Sequence, residues 1–285
     1  MPNSPEFAVA YYGVLRAGAT VTTLNTLYSA TEVARQLKDS KAKAYITMSS
    51  LLTTADDAAR QAGIPAEAII VVDRSDHRAS LADLIEHHLP APEVTVDPST
   101  ALAALPYSSG TTGLAKSVML THRNLVANIA QSSIPIDVNR DDRVMAVLPF
   151  FHIYGMNTIM NLTLYRRGTL VTMPKMELPT FLDLVQSRRV TYLYIAPPIA
   201  VALAKHPIVD DYDLSSIRRD PLVGIGGAEQ SGQEQLEGDG AGELVATEPA
   251  RASFGGQPGF QPGAEGLFGR IRHQPTSTGS AGIWA

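Results

Sequence analysis

The sequence predicts an α/β fold over residues 1–219, with covering helices packed on largely parallel sheets, followed by a tail of different character. Three observations carry this. Short β-branched or apolar runs alternate with amphipathic segments of about 10–15 residues. Glycine, proline and capping residues fall at the joints between them. Glycine is also unevenly placed: of 22 in the 285 residues, seven lie in 1–220 and fifteen in the last 65. That last stretch holds neither Lys nor Tyr, the final ones being Lys205 and Tyr212. Glycine and proline at such density interrupt any helix or strand. Residues 220–285 are therefore expected to be a poorly ordered tail, joined to the domain near Arg219.

Each element has a local reason. Residues 7–17 alternate as an amphipathic helix, closed by Gly18. The run 19–24 is short and β-branched, which predicts a strand. Thr31 is placed to cap a second helix that ends near Asp39. A strand at 44–48 leads to a helix over 49–62, which stops at Gly63. Residues 68–72 (AIIVV) read as a buried strand, 81–87 as a short helix and 89–98 as a loop. The strand 102–107 runs into a Gly/Ser/Thr loop, with a helix at 125–132 beyond it. Strands at 143–149, 169–173 and 190–196 alternate with helices at 157–165, 179–188 and 199–206. Pro179 suits the first turn of its helix.

Composition excludes several classes of function. A hydrophobic share of 45% supports a substantial core and is not that of a disordered chain. With no cysteine, there is no disulfide framework, thiolate metal site or cysteine nucleophile. A net charge of −5 lacks the basic stripe of a nucleic-acid binder. No apolar run reaches the 18–20 residues or so that span a bilayer, and no secretory leader pattern precedes MPNSPEF. These readings point to a cytoplasmic protein.

The strongest chemical signal is YSSGTTGLAKSVMLTH at 107–122. Two glycines let backbone N–H groups approach a ligand closely. The hydroxyls of Ser108, Ser109, Thr111 and Thr112 add donors, and Lys116 adds a positive charge. A polyphosphate needs that combination of many donors and local charge neutralisation. The Walker A pattern G-x-x-x-x-G-K-[ST] fits from Gly110 to Ser117, except that Ala115 stands where it needs glycine.

The full string resembles the phosphate loop of the adenylate-forming (AMP-binding) enzymes, [ST]-[SG]-G-[ST]-T-G-x-P-K-G-V. Among these it is most similar to the acyl- and aryl-CoA ligases, including 4-coumarate–CoA ligases and long-chain acyl-CoA synthetases. Other segments agree. Residues 2–19 (PNSPEFAVAYYGVLRAGA) resemble an early block of that family. LPFFHIYG at 148–155 resembles its P-[LFM]-[FY]-H-x-x-G segment. TYLYIAPP at 191–198 and DLSSIR at 213–218 resemble two more. The likeness covers about residues 2–219.

The resemblance implies an acid–CoA ligase that uses ATP, Mg²⁺ and coenzyme A, with a small carboxylic acid as substrate. Its implied phosphate site is Ser108, Ser109, Gly110, Thr111, Thr112, Gly113 and Lys116. It places His152 at the entrance of the acid pocket, beside the adenylate, although a lone histidine in an apolar segment is ordinarily a core residue. It makes Tyr154, Met156 and Asn157 candidate pocket-lining residues, while the residue types alone read as core. Tyr11, Tyr12, Tyr192 and Tyr194 read as packing residues.

Departures from the family are also informative. Ala115 and Ser117 stand where the family has proline and glycine, which loosens the loop. The family's Y-G-x-T-E and Y-x-T-G-D segments and its C-terminal catalytic lysine have no counterpart in a tail without Tyr or Lys. Met1 falls inside the first recognisable block. The expectation is therefore a family member truncated at both ends, inactive or impaired, with a tail that arose by a frameshift or is a genuine divergent terminus. A chain so cut is expected to expose strand edges and apolar helix faces, and to be poorly soluble or to melt low and broadly. Three alternatives stay open: an active enzyme completed by a partner chain, a P-loop NTPase, and a non-catalytic nucleotide or acyl binder.

Overall fold

The computed structural model describes residues 1–73, 78–108 and 116–218. Helix α1 (Pro5–Arg16) starts on Ser4, whose hydroxyl accepts the Phe7 N–H at 3.3 Å, and Gly18 follows its end at φ +74°. Strand β1 (Val21–Thr22) is shorter than the expected run. Helix α2 (Ala30–Asp39) is capped not by Thr31 but by Ser29. Ser29 and Glu32 form a reciprocal capping box, and Thr31 already lies inside the first turn. Strand β2 (Tyr45–Thr47) leads through a tight 3₁₀ turn into α3 (Leu52–Ala62), closed by Gly63 at φ +73°. Strand β3 (Ile69–Val71) and helix α4 (Leu81–Glu86), capped by Ser80, complete the first part.

Next come β4 (Leu102–Leu105), β5 (Tyr107–Ser108), β6 (Lys116–Ser117) and β7 (Leu120–Thr121). Helix α5 (His122–Ser132) begins three residues before the expected start, because Thr121 and Asn124 build a second reciprocal cap. Strand β8 (Arg143–Ala146) is followed by a π-helix (Tyr154–Asn161) that passes directly into α6 (Leu162–Tyr165). The rest is β9 (Thr169–Thr172), α7 (Leu178–Ser187), β10 (Tyr192–Leu193) and α8 (Pro197–Lys205).

The strands form several small sheets. Two have three strands, ordered β1-β4-β7 and β10-β8-β9, and β2-β3 and β5-β6 are pairs. Strands separated by helices run parallel: β1 with β4, β2 with β3, and β8 with both β9 and β10. The antiparallel pairs β4-β7 and β5-β6 surround the Gly/Ser/Thr loop. Strands β6 and β7 escape sequence detection because each has only two residues, too few for an alternation to show.

Apolar burial falls into three clusters. One, built on Phe7, Phe150, Met156 and Met160, joins α1 to the π-helix and β8. A second, on Met145, Phe181, Leu182 and Leu193, packs α7 against the other face of the β8 sheet. A third joins α2, α3 and β3 through Val33, Leu37, Ala58 and Ile69.

A polar lock closes the β8 sheet at the N-terminal ends of its strands. The buried Asp142 carboxylate accepts the Asn139 N–H at 2.8 Å, the Thr191 hydroxyl at 2.8 Å and the Arg218 guanidinium at 3.0 Å. Arg218 also lies over the Tyr192 ring, 5.5 Å from its centroid. The DLSSIR run thus has a structural role: Ser216 donates to the Val190 carbonyl at 2.8 Å, and Arg218 reaches back to Asp142.

Candidate functional site

Open α/β sheets bind ligands beyond the C-terminal ends of their parallel strands. Two chain segments leave such ends and carry the predicted residues: the one that follows β4, and the one that follows β8.

After β4, the chain passes Pro106 into the β5-β6 pair. Its register sets Tyr107 opposite Ser117 and Ser108 opposite Lys116. The Val118 N–H donates to the Pro106 carbonyl at 2.9 Å and extends the ladder by one step. Directly opposed residues in an antiparallel pair have Cβ atoms about 5 Å apart. Ser108 and Lys116 therefore stand together at the neck of a hairpin, with Ser109, Gly110, Thr111, Thr112 and Gly113 between them in sequence but outside the described residues. Lys116 is exposed. The Tyr107 hydroxyl donates to the Asp39 carboxylate at the end of α2. Burial, and then the adjacent Asp39 carboxylate, push the Tyr107 phenol up to about 12.

This arrangement removes the Walker A alternative. In a Walker loop, the Lys-Ser pair opens a helix. Here Lys116 and Ser117 form an antiparallel strand, and the next helix, α5, starts at His122.

After β8, residues 147–153 turn into the π-helix, and His152 sits on that turn, half-buried. Burial lowers the imidazole pKa below 6.5. Its Nδ1 accepts the Tyr154 N–H at 3.3 Å, so the neutral ring carries its proton on Nε2. The backbone of this turn is held from two distant places. Asn3, buried, donates to the carbonyls of Ala146 and Leu148, both at 2.9 Å, and accepts the Phe150 N–H at 2.8 Å. Thr23 donates to the Phe151 carbonyl at 2.6 Å.

Gly155 is required for the turn to pass so close to itself. A Cβ there would lie 2.0 Å from the Pro149 carbonyl oxygen, although the residue is not in the left-handed region. The glycine of the P-x-x-H-x-x-G pattern thus has a steric cause.

The remaining predicted residues differ in their surroundings. Tyr154 is half-buried, edge-on to Tyr194 at 6.2 Å, and burial followed by the neighbouring Tyr192 pushes its phenol up to about 12. Met156 is fully enclosed in the first apolar cluster. Asn157 is buried too; its amide donates to Asn128 Oδ1 at 2.7 Å and its carbonyl accepts from Asn161 at 3.0 Å. Both lie beneath the turn as the structure stands, and Tyr154 lies beside it.

The residues that sequence reasoning passed over are Asn3 and Thr23. Both fall in or next to the N-terminal block that resembles the family, but an Asn ahead of a helix reads as a local capping residue. Nothing local signals partners more than 120 residues away.

Among the described residues, no cluster of three or more His, Asp or Glu could hold a metal ion, and no helix is long and apolar enough to cross a membrane.

The model of the AMP-binding enzyme family matches residues 1–246. The 4-coumarate–CoA ligase 2 of Nicotiana tabacum is 39% identical over 226 residues, which cover 76% of this chain and 41% of that protein. The 4-coumarate–CoA ligase of Vanilla planifolia is 38% identical over 228 residues, with the same shares covered. The chain thus spans about 40% of the length of these curated relatives. Among solved structures, ATP-bound MatB from Rhodopseudomonas palustris superposes with a TM-score of 0.62 at 29% identity, over 73% of this chain and 40% of that one. The inhibitor-bound N-terminal domain of FACL13 from Mycobacterium tuberculosis gives 0.64 at 28% identity, over 76% and 54%.

Proposed function

The chain belongs to the AMP-binding enzyme family, and on that premise we propose that it carries the ATP-phosphate and acid-entry part of an acid–CoA ligase. In the complete reaction, a carboxylate oxygen attacks the α-phosphorus of ATP. The products of that step are an acyl-adenylate and pyrophosphate. The thiol of coenzyme A then attacks the acyl carbon, giving a thioester and AMP. The observation that carries this reading is the β5-β6 hairpin, which sets Lys116 across from Ser108 at the neck of the Ser109–Gly113 loop.

The roles follow from charge and placement. Bringing a carboxylate to ATP sets like charges together, so donors and a cation must gather where they meet. Ser108, the hydroxyls and backbone N–H groups of 109–113, and Lys116 supply these for the phosphates. Mg²⁺ arrives with the phosphates it neutralises. His152 is uncharged at neutral pH and presents an Nε2–H donor to the acid or adenylate. Tyr154 offers an aromatic wall next to it, backed by Tyr194, with Met156 and Asn157 as the support beneath. That wall favours an aromatic acid, the class named by the Nicotiana and Vanilla relatives.

Residues 1–285 are proposed to bind the phosphates of ATP, while the complete reaction also calls for the family's adenine, ribose and catalytic-lysine segments. After Tyr212 the chain has no tyrosine, and after Lys205 no lysine, for those segments. Residues 1–219 act as the domain; the family likeness runs on to residue 246, so the part of the tail outside it is 247–285. The cysteine-free composition is in keeping with a cytoplasmic setting.

The test is calorimetry with Mg-ATP, together with pyrophosphate release on a panel of aromatic and fatty acids, with and without CoA. Saturable heat at millimolar ATP, weakened in Lys116→Ala, is expected. Absence of saturable heat refutes the phosphate site. Pyrophosphate release above that of Lys116→Ala would show that residues 1–285 adenylate an acid without the adenine, ribose and catalytic-lysine segments.

A further inference from the structure

The phosphate hairpin and the His152 turn leave different sheets, yet an adenylating site needs them at a fixed offset. One dipeptide touches both. Thr22, the last residue of β1, pairs with Leu105 and donates its hydroxyl to the Leu105 carbonyl at 2.9 Å, two residues before Tyr107. Thr23 donates its hydroxyl to the Phe151 carbonyl at 2.6 Å, one residue before His152. Successive side chains along an extended segment point to opposite sides, so adjacent threonines can hold two different neighbours.

The pair is itself anchored. The Gln36 amide on α2 is buried and donates to Thr22 Oγ1 at 3.0 Å and to the Thr23 carbonyl at 2.8 Å. Thr22 thus accepts from Gln36 and donates to Leu105, which orients its hydroxyl. Asn3 fixes the His152 turn within itself, over 146–150, but does not reach the phosphate side. Beside the apolar packing of Ala103 and Ala104 of β4 with Phe150 and Met156, Thr23 supplies a directional, hydrogen-bonded link between the turn and the strand β1 that pairs with the phosphate-loop strand.

We propose that Thr22 and Thr23 are positioning residues, which set His152 at a fixed offset from the phosphate hairpin by clasping the Leu105 and Phe151 carbonyls. The importance of that offset rests on the ligase reading; the clasp itself can be measured in the free protein. Thr23→Val keeps the shape of the side chain and removes the hydroxyl, leaving the Phe151 carbonyl without its donor. Thr23→Ser restores the hydroxyl.

The experiment is a ¹H–¹³C correlation spectrum of the full chain, with the His152 ring signal assigned by its loss in His152→Gln. Spectra are compared for wild type, T23V and T23S, first without ligand and then with Mg-ATP, alongside thermal melts. In the free protein, T23V is expected to move the His152 ring signal by more than its linewidth and shift its titration midpoint, while the melt stays cooperative. T23S is expected to return both to the wild-type position. A His152 signal unmoved in T23V overturns the proposal. So does a T23S signal displaced from the wild-type position by more than its linewidth, and this arm decides the matter if T23V does not fold. Mg-ATP tests the other layer: a wild-type His152 signal indifferent to it refutes the ligase reading of the turn, while the free-protein comparison still decides the clasp.

Discussion

The closest backbone approach in the site makes a sharp prediction. Gly155→Ala places a Cβ 2.0 Å from the Pro149 oxygen, 2.6 Å from its carbonyl carbon and 3.0 Å from the Leu148 oxygen. Ordinary contact starts at 3.4 Å, so one of the two segments must withdraw by roughly 1 Å or more. Neither can do so cheaply. The Leu148 carbonyl and the Phe150 N–H, on either side of Pro149, are both bonded to Asn3. On the other side, Met156 is fully enclosed. Overpacking a core by a methyl group costs about 1–3 kcal/mol. Disturbing a buried hydrogen-bonded group costs a further 1–3 kcal/mol or so. The expected loss is therefore about 3 kcal/mol or more, a fifth to over half of a typical total of roughly 5–15 kcal/mol. In urea unfolding of the full chain, the midpoint should fall by a similar fraction. A G155A midpoint within about 0.5 kcal/mol of wild type would refute the steric argument and the pinned turn with it.

Further expectations can be checked on the same material. Gly13→Ala is the control: Gly13 is exposed and nothing lies within 4 Å of its Cβ position in α1, so stability should rise by about 0.5–1 kcal/mol in the same assay. Asp142→Ala strips the lock of its acceptor and should cost about 3 kcal/mol, read as a loss in melting temperature; no change would show that Arg218 is held well enough by its other contacts. Ser29→Ala removes a capping box and should cost about 1 kcal/mol, whereas Thr31→Ala should cost much less, which urea unfolding of the two variants distinguishes. Burial holds the folded His152 pKa below 6.5, so its contribution to stability is complete above pH 6.5 and is lost as pH falls through the folded pKa. Melts of wild type and His152→Gln should differ in pH dependence over that window with wild type the steeper, and parallel curves would count against a buried neutral ring.

Much of the architecture was legible because its causes are local. Gly18 and Gly63 stop helices by adopting a left-handed conformation that other residues resist. The β-branched runs at 69–71 and 169–172 formed strands where expected. The error at Thr31 came from weighing one capping residue without its partner, since only Ser29 has Glu32 three residues on. Strand lengths were overestimated, as at 190–196, because apolar runs mark burial and not ladder pairing. The phosphate-loop string was readable because many donors and a cation in a row have few other uses. What holds the site together was not readable. Asn3 and Phe150 are 147 residues apart, and Thr23 and Phe151 are 128 apart. No window along the chain contains such a pair.

The π-helix after His152 has a consequence for how this segment tolerates insertions and deletions. A π-helix is an α-helix carrying an extra residue, kept where something outside the helix holds that residue in place. Here Tyr12 donates to Asn161 at 2.8 Å, Asn161 to Asn157 at 3.0 Å, and Asn157 to Asn128 at 2.7 Å. Deleting one residue from 154–161 would let the backbone relax to the commoner α-helix. The asparagine relay would then be out of phase with Tyr12 and Asn128, because each α-helical residue turns the register by about 100°. The helix could absorb the loss and the relay could not. A gap in this short stretch should therefore mark related chains in which Tyr12, Asn128, Asn157 and Asn161 have changed together.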